Sequence, residues 1–303
     1  MTAVTTPTLS RAAMGRRRRR QQLATFWNDF RAQPSGVIGL VIMAVAVLAA
    51  LLAPIIYPPE VLDVTATTAA TNEPPSLAHP LGTDPRGIDV LAMVVWGARA
   101  SLLVGFVATG ISMFIGTLVG MASGHFRGFF GAVLMRLVDF FLVVPAIVLA
   151  LTLSAIIGPG LGTIILAIGV TGWASTARVV RAQTMTIETQ AYLERARALG
   201  AGDGHMLMRH VLPGVMPLVL ANTTLTVALA IISESTLAFL GLGDSNQVSW
   251  GGMLKLAMDS GAATAGYWWF VMAPGLAIVI VVLAFTLVGR AMESVFNPTL
   301  RGK

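Results

Sequence analysis

"AYLERARALGAGDGHMLMRHVLPG" (191–214) is a polar segment in an otherwise apolar chain. It carries five charged side chains and two histidines, whereas the nearest long runs, 140–177 and 211–233, contain no charged residue. Apolar runs of this length are typical of membrane-spanning helices. The polar segment therefore belongs at a membrane surface, and its role depends on which side of the membrane it faces.

Composition places the whole chain in the membrane class. Of its 303 residues, 55% are hydrophobic and 11% are charged, whereas a soluble domain is about 25% charged. The chain has no cysteine, which excludes a disulfide framework, thiolate catalysis and cysteine-ligated metal sites. The net charge of +6 could indicate nucleic acid in a soluble protein. Here we expect a lipid bilayer and no nucleic acid, because no folded domain accompanies the basic run.

The uncharged runs predict six transmembrane helices, since one span needs about 20 largely uncharged residues. The run Phe140–Ala177 is too long for one helix, and Gly158-Pro159-Gly160 divides it. The sequence therefore predicts an all-α integral membrane protein. The expected spans are Val37–Ile56, Ser101–Ser123, Phe140–Ile157, Leu161–Ala177, Val211–Leu240 and Trp268–Gly289.

The distribution of basic residues predicts the orientation. Six spans put both termini on one side, and 17 of the 20 lysines and arginines then lie on that side. Because basic residues accumulate in cytoplasmic segments, both termini and the polar segment are expected to be cytoplasmic. The run Arg16–Arg20 is expected to attract anionic lipid. An uncleaved first span is favoured over a signal peptide, because no clear cleavage site follows it.

The chain is expected to divide into five parts. They are a basic cytoplasmic tail (1–33), a first transmembrane helix (34–58), an extracytoplasmic loop (59–98), a five-helix transmembrane core (99–290) and a cytoplasmic C-terminal tail (291–303). Trp250, Trp268 and Trp269 are expected to be anchors at the membrane–water interface.

The polar segment itself predicts a short helix. Tyr192, Ala196 and Leu199 fall at i, i+4 and i+7, which is one helical face. Glu194 and Arg197 lie at i and i+3 on another face.

A glycine is expected to end this helix. Gly200 stands where a left-handed C-terminal residue is favoured, and Asp203 is a candidate N-cap for a second short helix. Leu212-Pro213 then leads into the fifth span. The alternative is an interfacial loop whose charges are only solvated.

The spacing of this segment resembles a known motif. Glu194-Arg195-Ala196, three residues, Gly200, nine residues and His210-Val211-Leu212-Pro213 are similar to the EAA loop of ABC-importer permeases. The nearest resemblance is to the C-type permease subunit of dipeptide and oligopeptide importers, in which the loop typically ends in Arg-His-x-Leu-Pro. Here Arg209 precedes His210.

Three further stretches resemble the same subfamily and extend the match over nearly all of the chain from residue 30. They are "HPLGTDPRGIDVLAMVVWGARASL" (79–102), "STLAFLGLGDSNQVSWGGML" (235–254) and "PGLAIVIVVLAFTLVGRAMESVFNPTLRGK" (274–303). The resemblance implies a type I ABC-importer permease in the inner membrane of a prokaryote.

The resemblance also implies the partners and the coupling residues. A paralogous permease subunit, two cytoplasmic ATPase subunits or domains and an extracytoplasmic solute-binding protein are expected. The default cargo is a di- or oligopeptide, with nickel, glutathione or another small solute as the alternative. The loop at about 186–210 would be the ATPase-coupling site, with Tyr192, Glu194, Arg195, Ala196, Arg197, Leu199, Gly200, Asp203, His210, Leu212 and Pro213 as its residues.

Two positions depart from the family pattern. Arg195 replaces the first alanine of the motif, so its side chain either points away from the ATPase or pairs with an acidic residue there. Arg290 stands where the subfamily often has aspartate.

No catalytic residue, metal site or cofactor is expected in this chain. A P-loop needs lysine before serine or threonine, but Lys255 precedes Leu256 and Lys303 is the last residue. The four histidines form no metalloprotease motif. ATP and magnesium would therefore be bound by the partner ATPase subunits.

Two other function classes were weighed against the permease. "GLGD" (241–244) matches a signature of intramembrane aspartyl proteases, but no second aspartate follows a tyrosine as that family requires. An ion-coupled secondary transporter needs several intramembrane ionisable residues, and only Glu234 lies well inside a span. Glu234 and Asp139 are candidates for the translocation path or for interhelical polar contacts, and Arg136 could pair with Asp139.

Small residues in the second span are expected to allow close helix packing. They are Gly105, Gly110, Gly116 and Gly120.

Overall fold

The computed structural model describes residue 21, residues 24–244 and residues 246–296. Most of the predicted basic tail and the end of the C-terminal tail lie outside these residues. The described part is mostly helical. Its helices are α1 (Pro34–Ile56), α2 (Val90–His125), α3 (Phe129–Val143), α4 (Ala146–Ile157), α5 (Leu161–Glu188), α6 (Ala191–Ala198), α7 (Asp203–Met206), α8 (Leu212–Leu237), α9 (Trp250–Asp259) and α10 (Trp268–Phe296).

Three shorter elements complete the helical segments. Pro59–Leu62 is a 3₁₀ turn, and Leu207–Val211 and Ala238–Leu242 are π turns at the two ends of α8. Residues 24–31 are also helical.

Five helical segments among the described residues are long and apolar enough to cross a membrane. They are α1, α2, α5, the continuous run from α7 through α8, and α10. The third predicted span, Phe140–Ile157, is wrong as a single helix, because α3 and α4 meet at an angle of 85°. The break falls at Val144-Pro145, where proline lacks a backbone N–H and disfavours helical geometry in the preceding residue. The bent pair makes a sixth span if its two parts cross the membrane together.

The second span begins earlier than predicted. α2 starts at Val90 rather than at Ser101, inside the segment predicted as an outer loop. Asp89 explains this start, since its side chain accepts a hydrogen bond of 3.0 Å from the amide of Ala92 and lies 2.8 Å from Nδ1 of His79. Such a cap satisfies an amide at the helix start that has no partner within the helix.

Two of the three tryptophans predicted as interfacial anchors belong to the core instead. Trp250 is 2% exposed and donates from Nε1 to the carbonyl of Val94 at 2.9 Å. Trp269 is also buried, whereas Trp268 is exposed. Trp250 is buried because α9, which the sequence analysis did not predict, packs against α2 and α8.

The two described ends of the chain meet at one end of the bundle. The rings of Phe26 and Phe296 are in contact, tilted by 33° with 5.4 Å between their centroids, and Gln33 Nε2 donates to Ser294 Oγ at 2.8 Å. Phe30 is buried against the last turns of α10. This places the start of α1 beside the end of α10, and we call this the terminal end.

α2 and α5 pack with their backbones in close contact. A Cβ on Gly120 would lie 2.7 Å from the carbonyl oxygen of Ala177, and one on Gly124 would lie 2.8 Å from Cβ of Thr184. Gly116 meets α5 in the same way one turn earlier. Glycine every fourth residue therefore allows this approach, as in other membrane helix pairs. Of the predicted packing glycines, Gly110 has no atom within 4 Å of such a Cβ and makes no close contact of this kind.

This difference gives a matched pair of variants. Gly120→Ala and Gly110→Ala both gain about 1 kcal/mol of helix propensity, but only Gly120→Ala forces an overlap, which costs roughly 1–3 kcal/mol. We expect the melting temperature of the purified protein in detergent to fall for Gly120→Ala and to stay level or rise for Gly110→Ala. Equal melting temperatures for the two variants would contradict the close packing.

Candidate functional site

The polar segment lies at the terminal end, directly after α5. Its first helix, α6, ends in a Schellman motif, with Gly200 at φ +86°. The amide of Gly200 bonds the carbonyl of Arg197 at 2.9 Å, and the amide of Ala201 bonds that of Ala196 at 3.1 Å. Glycine adopts this left-handed conformation without a steric penalty. The helix end therefore falls where the sequence predicts it.

The buried face of α6 is centred on Leu193. Leu193 is fully buried among apolar residues of α5 and α8, with Met206 beside it. Tyr192 and Leu199 are 45% and 89% exposed, so of the predicted face only Ala196 packs against this cluster. Both faces of this eight-residue helix carry bulky apolar side chains, and the periodicity could not distinguish them.

The other side of α6 is open to solvent. We call Tyr192, Glu194, Arg195, Leu199 and Gly200, all of them exposed, the outer face of α6. Arg195 is the residue that departs from the family motif. Its side chain lies along α6, because its Nε donates to the carbonyl of Ala191 at 3.3 Å. Beside Tyr192, the ring of His210 lies 6.0 Å away.

The predicted second short helix is instead an extension of the fifth span. Gly202, not Asp203, is the N-cap of α7, and the chain runs on through the π turn into α8. Leu212 packs on the cluster around Leu193. Pro213, in the first turn of α8, is exposed.

A network of polar and charged groups lies beneath α6. Its central residues, His125 and Glu188, were not among the predicted site residues. Glu188 Oε1 lies 2.6 Å from Nδ1 of His125, and its Oε2 accepts from Arg197. The Nε2 of His125 lies 3.2 Å from Asp203 Oδ1. The side chains of His125 and Glu188 are each 3% exposed. Arg197 of α6 therefore reaches back to the end of α5 and pairs with Glu188.

Little in the sequence could have revealed this network. Glu188 lies inside the range 186–210, but His125 is 63 residues earlier in the chain. The one available signal was a carboxylate at the end of a long apolar helix and a histidine without an assigned role.

Glu234 forms an interhelical contact at the opposite end. It is 2% exposed, and its Oε2 accepts from Ser101 Oγ at 2.9 Å and from Ser235 Oγ at 3.2 Å. The amide of Trp250 in turn reaches Ser101 Oγ at 3.4 Å. One carboxylate thus joins α2, α8 and the start of α9.

Asp139 pairs across helices rather than along its own. Arg178 of α5 donates to its Oδ1 at 2.8 Å, so the predicted pairing with Arg136 is wrong.

Neither Glu234 nor Asp139 lines either of two cavities formed by the described residues. The larger, of about 1080 Å³, opens among the loops at the opposite end. The smaller, of about 390 Å³, lies between α2, α4, α5 and α8 and has no charged side chain among its described lining residues. Its polar lining consists of Thr109, Ser112, Thr171, Ser175, Thr226, Ser233 and Thr236.

The contacts of Glu234 predict a structural role for its carboxylate. Glu234→Leu removes the acceptor of the buried Ser101 hydroxyl, and an unpaired buried polar group costs about 1–3 kcal/mol. We expect a melting temperature several degrees lower for Glu234→Leu and close to the parent for Glu234→Gln, which keeps an acceptor oxygen. A Glu234→Leu protein that melts like the parent but fails in its transport assay would instead indicate a role on a solute path.

Fold and site together define a class of protein: a multi-span helical membrane protein that presents a short surface helix at one end of its bundle. A solved structure described as inward-facing conformations of the MetNI methionine ABC transporter has a similar fold. The TM-score is 0.54 at 20% identity, covering 67% of this chain and 96% of the matched chain.

Residues 116–302 match the family described as binding-protein-dependent transport system inner membrane component. Residues 21–75 match the N-terminal transmembrane domain of oligopeptide transport permease C. The chain belongs to this transport-permease family, and the resemblance drawn from its motifs is confirmed.

Curated relatives agree with this assignment. A putative peptide transport system permease protein of Brucella suis is 36% identical over 266 residues, covering 87% of this chain and 88% of the relative. The dipeptide transport system permease protein of Bacillus subtilis is 33% identical over 276 residues, covering 91% and 85%. The glutathione transport system permease protein of Pectobacterium atrosepticum is 34% identical over 231 residues, covering 76% of each.

The chain is therefore a multi-pass inner-membrane protein of the ABC-permease class, whose members are non-catalytic subunits. These findings fit the permease better than the aspartyl protease or the ion-coupled carrier.

Proposed function

We propose that this chain is the transmembrane permease subunit of an ATP-driven importer that moves di- and oligopeptides across the cytoplasmic membrane by alternating access. The observation that carries the proposal is the outer face of α6. It presents Tyr192 and Leu199 to solvent on a helix that Leu193 fixes to the transmembrane core. Exposed apolar side chains rimmed by charges are typical of a protein-docking surface.

The orientation follows from the positive-inside rule. With both termini in the cytoplasm, 17 of the 20 basic residues are cytoplasmic. The terminal end, including α6, then faces the compartment that contains ATP.

The partners complete the transporter. Two ATPase subunits or domains would bind ATP and magnesium and dock on the outer face of α6. A paralogous permease would form a heterodimer with this chain. A solute-binding protein would deliver cargo to the loops at the opposite end, around the larger cavity.

The smaller cavity suits a peptide cargo. Hydroxyl groups can donate and accept hydrogen bonds, and a lining without charged groups accommodates peptides of either net charge. We place the translocation path along this cavity, because α2, α5 and α8 all contribute to its wall.

Glutathione is the second candidate cargo, supported by the relative from Pectobacterium atrosepticum. It is a tripeptide, so the same hydroxyl-lined path would serve it.

The direct test is uptake by the reconstituted complex. We expect proteoliposomes containing this chain, its paralogue and the ATPase subunits to import a labelled dipeptide only when ATP and the binding protein are both present. Glutathione in the same assay distinguishes the two cargoes. Uptake driven by a proton or sodium gradient without ATP would overturn the proposal.

A second prediction concerns the glycine at the end of α6. Gly200→Asp places a side chain at φ +86°, which costs roughly 1 kcal/mol, and adds a charge to the outer face. We expect peptide-stimulated ATP hydrolysis to fall about tenfold while the complex still assembles. The matched control is Gly202→Asp, where φ is −75° and hydrolysis should stay near the parent rate. Parent-like stimulation in Gly200→Asp would contradict the docking surface.

A further inference from the structure

Four side chains beneath α6, namely three charged groups and one histidine, connect four helix ends. His125 ends α2, Glu188 ends α5, Arg197 lies in the last turn of α6, and Asp203 begins α7. We call these four residues the charge latch. We propose that Glu188 is a positioning residue that ties α6 to the α2–α5 pair, so that a load on α6 moves those helices instead of bending the linker. This inference rests on the proposed function and names residues that its docking surface does not include.

The linker explains why a latch is needed. Only Thr189 and Gln190 separate α5 from α6, and neither is helical. Such a short connection can act as a hinge, because a few element-terminal residues are enough to absorb a rotation. Arg197 lies near the far end of α6 and reaches back to Glu188. The contact between Arg197 and Glu188 restrains rotation about this linker. The buried side chain of Leu193 anchors the middle of α6 to the core.

Glu188 uses its two oxygens for two different helices. Oε2 binds Arg197 of α6, while Oε1 lies 2.6 Å from Nδ1 of His125 at the end of α2. The other ring nitrogen of His125, Nε2, lies 3.2 Å from Asp203 Oδ1 at the start of α7. Because His125 and Glu188 are almost completely buried, removing one partner leaves the others uncompensated, which is costly.

The charge latch joins α6 to α2 and α5, which are themselves closely packed. Gly120 and Gly124 bring α2 and α5 into backbone contact, so the two helices move together. The same two helices supply Thr109 and Thr171 to the smaller cavity. A displacement of α6 is therefore transmitted to the cavity wall.

The experiment compares ATP hydrolysis with import in the intact reconstituted complex. For Glu188→Gln we expect import to fall and the number of ATP molecules hydrolysed per peptide imported to rise about tenfold, which corresponds to a coupling loss of about 1.4 kcal/mol. A residue needed only for folding would lower import and hydrolysis together and leave this ratio unchanged.

Arg197 supplies a second variant that is gentler to the fold, because its side chain is 47% exposed. Arg197→Gln should also raise the ratio, and the double variant should be no worse than Glu188→Gln alone, because Glu188→Gln already weakens the contact with Arg197. Arg197→Lys keeps the charge and should retain most of the coupling.

The matched control is Arg178→Gln. Arg178 also forms an ion pair on α5, but with Asp139 of α3 rather than with the α6 segment. The Arg178→Gln variant should therefore hydrolyse as many ATP molecules per imported peptide as the parent. The latch is overturned if Glu188→Gln and Arg197→Gln keep the parent ratio, or if Arg178→Gln raises it equally. Failure of the parent complex to import with ATP would overturn the proposed function instead, so the two failures are distinguishable.

Discussion

The backbone contact between α2 and α5 is the constraint on which the rest of the structure depends. Without competing water, helix association in a membrane relies on close packing, and glycines at 116, 120 and 124 bring the α2 backbone against α5. This contact brings His125 and Glu188 within hydrogen-bonding distance. It also sets two walls of the smaller cavity. A surface segment attached to this pair is therefore attached to the interior of the bundle.

The polar segment divides its chemistry between two sides of one short helix. Inward, Leu193 is buried and Arg197 reaches a buried carboxylate; outward, Tyr192 and Leu199 stay exposed. The stretch that resembles the family motif covers both sides of α6, although one side packs against the core and the other is exposed to solvent. In our proposal the outer side binds an ATPase subunit, while the inner side transmits the movement of that subunit to α2 and α5.

Most of the helices and the family could be predicted from the sequence, because apolar length and motif spacing are local properties. The errors occur where long-range packing decided the outcome. Trp250 was expected at an interface but is covered by its own chain. Asp139 was expected to pair with Arg136, but Arg178 of the neighbouring helix α5 is its partner. The third span was expected to be continuous, although Pro145 could have indicated its break.

The sequence by itself determined that this is a multi-span helical permease with a polar segment whose first helix ends at Gly200. Composition, span length and the tolerance of glycine for left-handed backbone can be read from the sequence, because none of them depends on which helices pack together. Only the tertiary structure decided which side of α6 is buried and that Glu188 joins His125 to Arg197. An eight-residue helix with apolar groups on both sides has no preferred face of its own. Its face is selected by the packed ends of α2 and α5, which lie far apart in sequence.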